Sequence, residues 1–296
     1  MTPGIHLNLS RDEYKAIPAL NRSTIVKWIE LGDIPSKFKF WLDTKDSQPT
    51  SEALLIGNVL DCLLLESPLF GDRFIIRPDD APKRPTSRQV NTKKPSQDTT
   101  DSINWWHQFE CMASGKIVLT PDQWGAVHAM EAALYLNEST SDIFKHCRKA
   151  VAVGNLWNID VKAEYDLWNP QSEHLMDLKT CRDVSPKSFA RDFINFGYHY
   201  QATFYLRLAN ELGHDKRTFD FVCVESAAPW TVKVYSFTPW EDEQHSRIYD
   251  QCLIDLRAGA KELSRRLESG DFIDSPDWER IKVPRWAIRW DLEEAA

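Results

Sequence analysis

The chain has 296 residues, of which 42% are hydrophobic and 27% charged, with a net charge of −8 at neutral pH. A chain of this length buries a full core, as one large domain or two small ones. The acidic balance excludes a polybasic protein that holds nucleic acid by bulk charge, while leaving room for a local basic groove.

The N-terminal run Met1-Thr2-Pro3-Gly4-Ile5-His6 lacks the basic and apolar segments of a signal peptide. The six cysteines, at 62, 111, 147, 181, 223 and 252, contain no CxxC pair. That spacing argues against a zinc ribbon or a sequence-local iron–sulfur site and suits a reducing compartment. A cytoplasmic location is therefore expected. Asn21-Arg22-Ser23-Thr24 offers helix caps, and Ile25, Trp28 and Ile29 begin an apolar face. The stretch from Ala53 to Leu65 is apolar almost all round, which predicts a buried helix ending before Pro68. Asn58 and Asp61 interrupt it, and it is too short to span a bilayer, so no membrane association is expected.

Residues 78–101 differ in kind. Pro78, Pro82, Pro85 and Pro95 alternate with Lys83, Arg84, Arg88, Lys93 and Lys94, as in a basic surface loop. Helix signals return at Ser102–Cys111 and after Thr120-Pro121-Asp122, where a cap residue is followed by proline at the first helical position. From Ala150 the period changes. Val151–Trp157, Ile159–Trp168 and Glu173–Thr180 read as strands, Pro186–Leu212 as one long helix, Thr218–Val224 and Thr231–Phe237 as strands, and Pro239–Leu267 as a last helix. This order predicts an α/β (α+β) core in a single domain. Residues 1–149 form a mainly helical N-terminal part, 150–270 the sheet-and-helix core, and 271–296 a tail packed on that core through Trp278, Trp286 and Trp290.

The chemistry concentrates in the second and third strands. Asn169-Pro170-Gln171-Ser172 is a turn signal, so Lys162–Trp168 and Glu173–Thr180 should form an antiparallel hairpin. A loop symmetric about the 171/172 bond sets Asp166 opposite Asp177 and Glu164 opposite Lys179, all four on one face, with His174, Met176 and Leu178 turned toward a core. Opposed Cβ atoms lie roughly 4.5–5.5 Å apart, so the two carboxylates repel unless a cation sits between them. Mg or Mn, which prefer carboxylate and carbonyl oxygen, would supply it, and a lysine on the same face could orient a water. The alternative is a solvated strand face with a Glu164–Lys179 salt bridge.

Asp166 followed by Asp177-Leu178-Lys179 resembles the PD-(D/E)XK nuclease motif. Further segments resemble the RecE (exodeoxyribonuclease VIII) family within that superfamily. They are Gly57–Pro68 with Phe70, the run Asp177–Thr180 with Asp183, Ser185-Pro186 and Phe189, the run Gly197–Tyr205, and the closing Val283-Pro284-Arg285-Trp286-Ala287. The resemblance implies a central mixed sheet flanked by helices, with a helical N-terminal elaboration. It implies Asp166, Asp177 and the Leu178 backbone carbonyl as Mg (or Mn) ligands, Lys179 as the residue that positions or activates water, and Gln201 beside the active site. Tyr198 and Tyr205 lie on the same helix face as Gln201, where they either contact DNA or pack in the core.

Asp61 stands where the family usually has a metal-binding histidine, so it is either a further ligand or a buried hydrogen-bonded acid. Arg84, Arg88, Lys93 and Lys94 are candidate contacts to the DNA backbone, or a solvated loop. By resemblance the activity would be a Mg-dependent 5′ to 3′ exonuclease on double-stranded DNA ends that leaves 3′ single-stranded tails for recombination or repair. The partners would be a single-strand annealing protein and further copies of the chain in a ring. The alternative is a catalytically impaired DNA-binding module. No P-loop, GxSxG or HExxH motif is present.

Overall fold

The computed structural model describes residues 1–47 and 50–274. Strand β1 (Gly4–Leu7), helix α1 (Arg11–Ala16) and strand β2 (Leu20–Asn21) lead into helices α2 (Arg22–Leu31), α3 (Pro35–Thr44) and α4 (Glu52–Leu65). Next come α5 (Phe70–Arg73), β3 (Phe74–Ile76), α6 (Ser87–Val90), α7 (Gln97–Met112), β4 (Ile117–Leu119), α8 (Pro121–Leu136) and α9 (Ile143–His146). The second half holds β5 (Arg148–Leu156), β6 (Ile159–Trp168), β7 (His174–Cys181), α10 (Pro186–Asn195), α11 (Tyr198–Glu211), β8 (Thr218–Glu225), β9 (Val232–Phe237) and α12 (Glu243–Ser269).

Local chemistry starts the helices where the sequence places caps. The Asn21 side chain accepts from the Thr24 amide at 2.9 Å. The Ser51 hydroxyl does the same for Leu54 at the start of α4. Thr120 and Gln123 cap each other around Pro121. Each arrangement satisfies amides that have no partner within the first helical turn.

The main sheet has the order β1-β5-β6-β7-β8-β9, with β2 running parallel to β6. Neighbours along that order are antiparallel except β7 and β8. Those two are joined through α10 and α11, as a parallel pair requires a long crossover. Helices α2, α11 and α12 cover one face around Tyr165, Phe204, Phe219 and Phe221. Helices α4 and α8 cover the other around Leu60, Met130, Leu134, Val222 and Val224. The result is a mixed sheet between helical layers, as expected. Among the described residues, no single helix is long and apolar enough to cross a membrane.

The expected helix over 186–212 is two helices. Gly197 separates them at φ +65°, a left-handed conformation that a residue with a Cβ adopts only at a cost. α7 begins at Gln97, inside the expected basic loop, and α6 forms a single turn within that loop. α12 starts four residues later than expected. Phe272 stacks on Phe38 at 6.0 Å, and Asp274 Oδ1 accepts from the Ser36 amide at 2.8 Å. The three tail tryptophans and the 283–287 motif lie outside the described residues.

Candidate active site

The hairpin pairs in the expected register, with Leu167 opposite Met176. β6, however, is not a regular strand. Its pairing with β5 passes from Arg148–Trp168 to Ala150–Tyr165, so three steps on β6 match two on β5. An extra residue of this kind is a β-bulge, and it breaks the alternation of side chains. Tyr165 and Trp168 accordingly share the α11 face, while Leu167 joins the α4 face. The four charged residues nevertheless line one cleft. Asp166, Asp177 and Lys179 come together, and the same cleft also takes in Glu164. The Glu164 Oε1 lies 3.7 Å from Lys149 Nζ, in place of the expected pair with Lys179. His174 also departs from the expectation. It is exposed rather than turned into a core, and its Nδ1 lies 2.6 Å from Asp220 Oδ2.

Asp166, Asp177, Lys179, Gln201 and Tyr205 line one cleft of about 300 Å³, together with Arg22, Ser23, Lys162 and Glu164. Asp166 is held against β7 by the Leu178 amide, which donates to its Oδ2 at 3.3 Å. Burial, then the Asp177 and Asp61 carboxylates, push the Asp166 carboxyl well above the ordinary carboxylate range, against the pull of Lys179 and Lys149. The Asp177 side chain is only 3% exposed. Its Oδ1 accepts a hydrogen bond from Gln201 Nε2. Its Oδ2 forms an ion pair with Lys179 Nζ, yet no donor reaches that oxygen with hydrogen-bond geometry. The Lys179 ammonium also stands 5.0 Å from the centre of the Tyr198 ring. Tyr198 itself packs on Phe221 and Phe189. Burial raises the Tyr205 hydroxyl far above its ordinary range.

Two residues that the sequence did not single out complete the site. Arg22 opens α2, and its guanidinium donates to Gln201 Oε1 at 3.0 Å. Lys149, on β5, places its Nζ 2.7 Å from Asp61 Oδ2 and 3.3 Å from Glu66 Oε2. Burial opposes its charge, but Asp61, Glu164 and Asp166 together hold the ammonium above its ordinary value. Neither residue carried a local signal, because each partner is distant in sequence. A lone arginine after a cap residue and a lone lysine at a strand start are ordinary surface features.

The basic loop does not border the cleft. Arg84 forms an ion pair with Glu110 and lies 4.9 Å from the Trp106 ring, which ties it to α7. Arg88, Lys93 and Lys94 are exposed.

A divalent ion fits this donor set. Two carboxylates line one cleft, and burial with the Asp177 charge makes ionised Asp166 costly, a cost that a cation between them would relieve. Hard oxygen donors of this kind suit Mg or Mn. Among the described residues, no three His, Cys, Asp or Glu side chains cluster as a metal cage. Any ion would therefore have to draw on backbone oxygen, water or substrate as well.

The profile of a PDDEXK-like domain of unknown function (DUF3799) matches residues 33–252. PDDEXK-like nucleases generally use divalent metals. Among solved structures, a protein from Eubacterium rectale provisionally named an exonuclease superimposes with a TM-score of 0.55. It is 12% identical, and the match covers 89% of this chain and 88% of that one. That level of identity supports a common fold. A phage-related exonuclease from Haemophilus somnus is also 12% identical, over 63% of this chain and 92% of its own, with a TM-score of 0.28. Among curated proteins, none matches the chain.

Proposed function

Because the chain belongs to the PDDEXK-like family DUF3799, we propose that it hydrolyses DNA phosphodiester bonds with a divalent ion, Mg or Mn, held by Asp166, Asp177 and the Leu178 carbonyl. The buried Asp177 carboxylate, paired with Lys179 and beside a second acid whose pKa it raises, is the observation that carries this reading. When bound, such an ion supplies Lewis acidity and a more acidic water.

The chain's own residues do the rest. Lys179, with its ammonium beside Asp177, orients the attacking water and offsets charge that develops on the phosphate. Gln201 fixes the rotation of Asp177, and Arg22 fixes Gln201. Arg22 and Lys179 together give the acidic cleft a positive rim for a phosphate. Arg88, Lys93 and Lys94 offer further contacts to the DNA backbone.

In finer detail, we propose an exonuclease that enters at double-stranded ends and proceeds 5′ to 3′. It would leave 3′ single-stranded tails for recombination or repair, as a ring of identical subunits working with an annealing protein in the cytoplasm. The resemblance to exodeoxyribonuclease VIII supports these points. The test is digestion of 5′-labelled linear duplex with Mg, compared with EDTA, with a closed circular duplex as control. Equal degradation by the wild type and Lys179→Ala would remove this reading. A second reading, a DNA-binding module without hydrolysis, is favoured by the pairing of Asp61 with Lys149. Binding of DNA without Mn uptake would support it.

A further inference from the structure

Lys149 stands among three carboxylates. Its Nζ lies 2.7 Å from Asp61, 3.3 Å from Glu66 and 3.7 Å from Glu164, and its side chain is 20% exposed. Glu66 is further neutralised by Arg73, which donates to both of its oxygens at 2.8 and 3.1 Å. The cleft lined by Asp166, Asp177 and Lys179 includes Glu164 but neither Asp61 nor Lys149. Asp61 thus meets a cation supplied by the chain itself.

We propose that Lys149 is the permanent counter-ion of Asp61 and Glu164, and that these two acids are not ligands of the ion held at Asp166 and Asp177. The inference rests on the metal reading above, and it assigns Lys149 as a positioning residue. Drawing Asp61 to a metal would take from a largely buried ammonium its nearest carboxylate, 2.7 Å away, which is costly. Lys149 and Arg73 together offset two of the three local negative charges. The position where the resembled family usually has histidine is then an ion-pair anchor between α4 and the sheet. Without Lys149, Asp61 and Glu164 would become a second hard-oxygen pair open to a cation.

Isothermal titration of the full chain with MnCl2 tests this. Asp61→Asn should bind Mn within about threefold of wild type, below the 10–100-fold that even an outer partner of a metal ligand is typically worth. Asp177→Asn should lose uptake. Lys149→Met should take up an additional Mn, and that gain should vanish in Asp61→Asn/Lys149→Met. A tenfold or greater loss in Asp61→Asn, with normal wild-type uptake, would overturn the assignment of Lys149 and leave the metal site standing. Unchanged stoichiometry in folded Lys149→Met would also overturn it. Should Lys149→Met fail to fold, the Asp61→Asn titration decides alone. Wild type without Mn uptake would overturn the metal reading itself, and this inference with it.

Discussion

Arg22 donates to Gln201 Oε1 from a position 179 residues earlier in the chain. An amide has one acceptor end and one donor end. With the oxygen occupied by Arg22, the Nε2 end of Gln201 must face Asp177, and it does. The Asp177 oxygen that remains is the one beside Lys179. A residue at the start of α2 therefore sets which oxygen of a strand carboxylate meets Lys179.

Removing Gln201 should weaken catalysis more than folding. A hydrogen bond to a charged group is worth about 1.5–3 kcal/mol, or roughly 10–150-fold. Gln201→Ala should lose that factor in single-turnover cleavage. Arg22→Ala should lose about tenfold, at the low end of the same range, and Arg22→Lys should recover part of it. An Arg22→Ala enzyme with unchanged cleavage and Mn affinity would show that the amide orients without help.

Lys179→Ala should lower the cleavage rate by about 10²–10⁴, the range typical for a group that handles the reacting water. Affinity for duplex DNA, measured in Ca to suppress turnover, should change far less. A parallel fall in binding and rate would instead identify Lys179 as a DNA contact.

The raised Asp166 carboxyl makes the metal-free protein sensitive to pH. Its folded pKa lies above its unfolded value, so the folded state keeps a proton that the unfolded chain has released. Stability from this source is fully present below the ordinary carboxylate range, near pH 4, and is lost as pH rises through the folded pKa. In EDTA at neutral pH, Asp166→Asn should therefore melt higher than wild type, by about 2–4 °C for each kcal/mol relieved. Mg should raise the melting temperature of wild type and leave that of Asp166→Asn unmoved. A variant that melts lower than wild type in EDTA would contradict the charge repulsion.

Gly259 lies where α12 crosses α2. A Cβ at this position would stand 2.7 Å from Ile29 Cγ1 and 3.6 Å from Ile25 Cγ2. Alanine favours the helix by about 1 kcal/mol, but overpacking a closed contact costs about 1–3 kcal/mol. Because Ile29 Cγ1 is close to its backbone and has little room to swing away, the second effect should win. Gly259→Ala should lower the urea midpoint, and a raised midpoint would mean that Ile29 yields freely.

Much of the fold was legible in short stretches. Strand β6 begins and ends where alternation predicts, and the Asn169–Ser172 turn sets Leu167 against Met176. Caps at Asn21, Ser51 and Thr120 start their helices. Alternation, capping and turn chemistry act over a few residues, so the sequence alone determined these elements and brought Asp166, Asp177 and Lys179 to one end of a hairpin. What it could not determine was where β6 gains its extra residue. That depends on how β5 pairs with it, and the folded sheet sets Glu164 beside Lys149 rather than paired with Lys179. Arg22 on Gln201 and Lys149 on Asp61 join residues separated by 179 and 88 positions. No local period encodes such contacts. Only the packing of α2, α4 and α11 around the sheet decides them, because a charged side chain finds its partner among whatever the folded layers bring within reach.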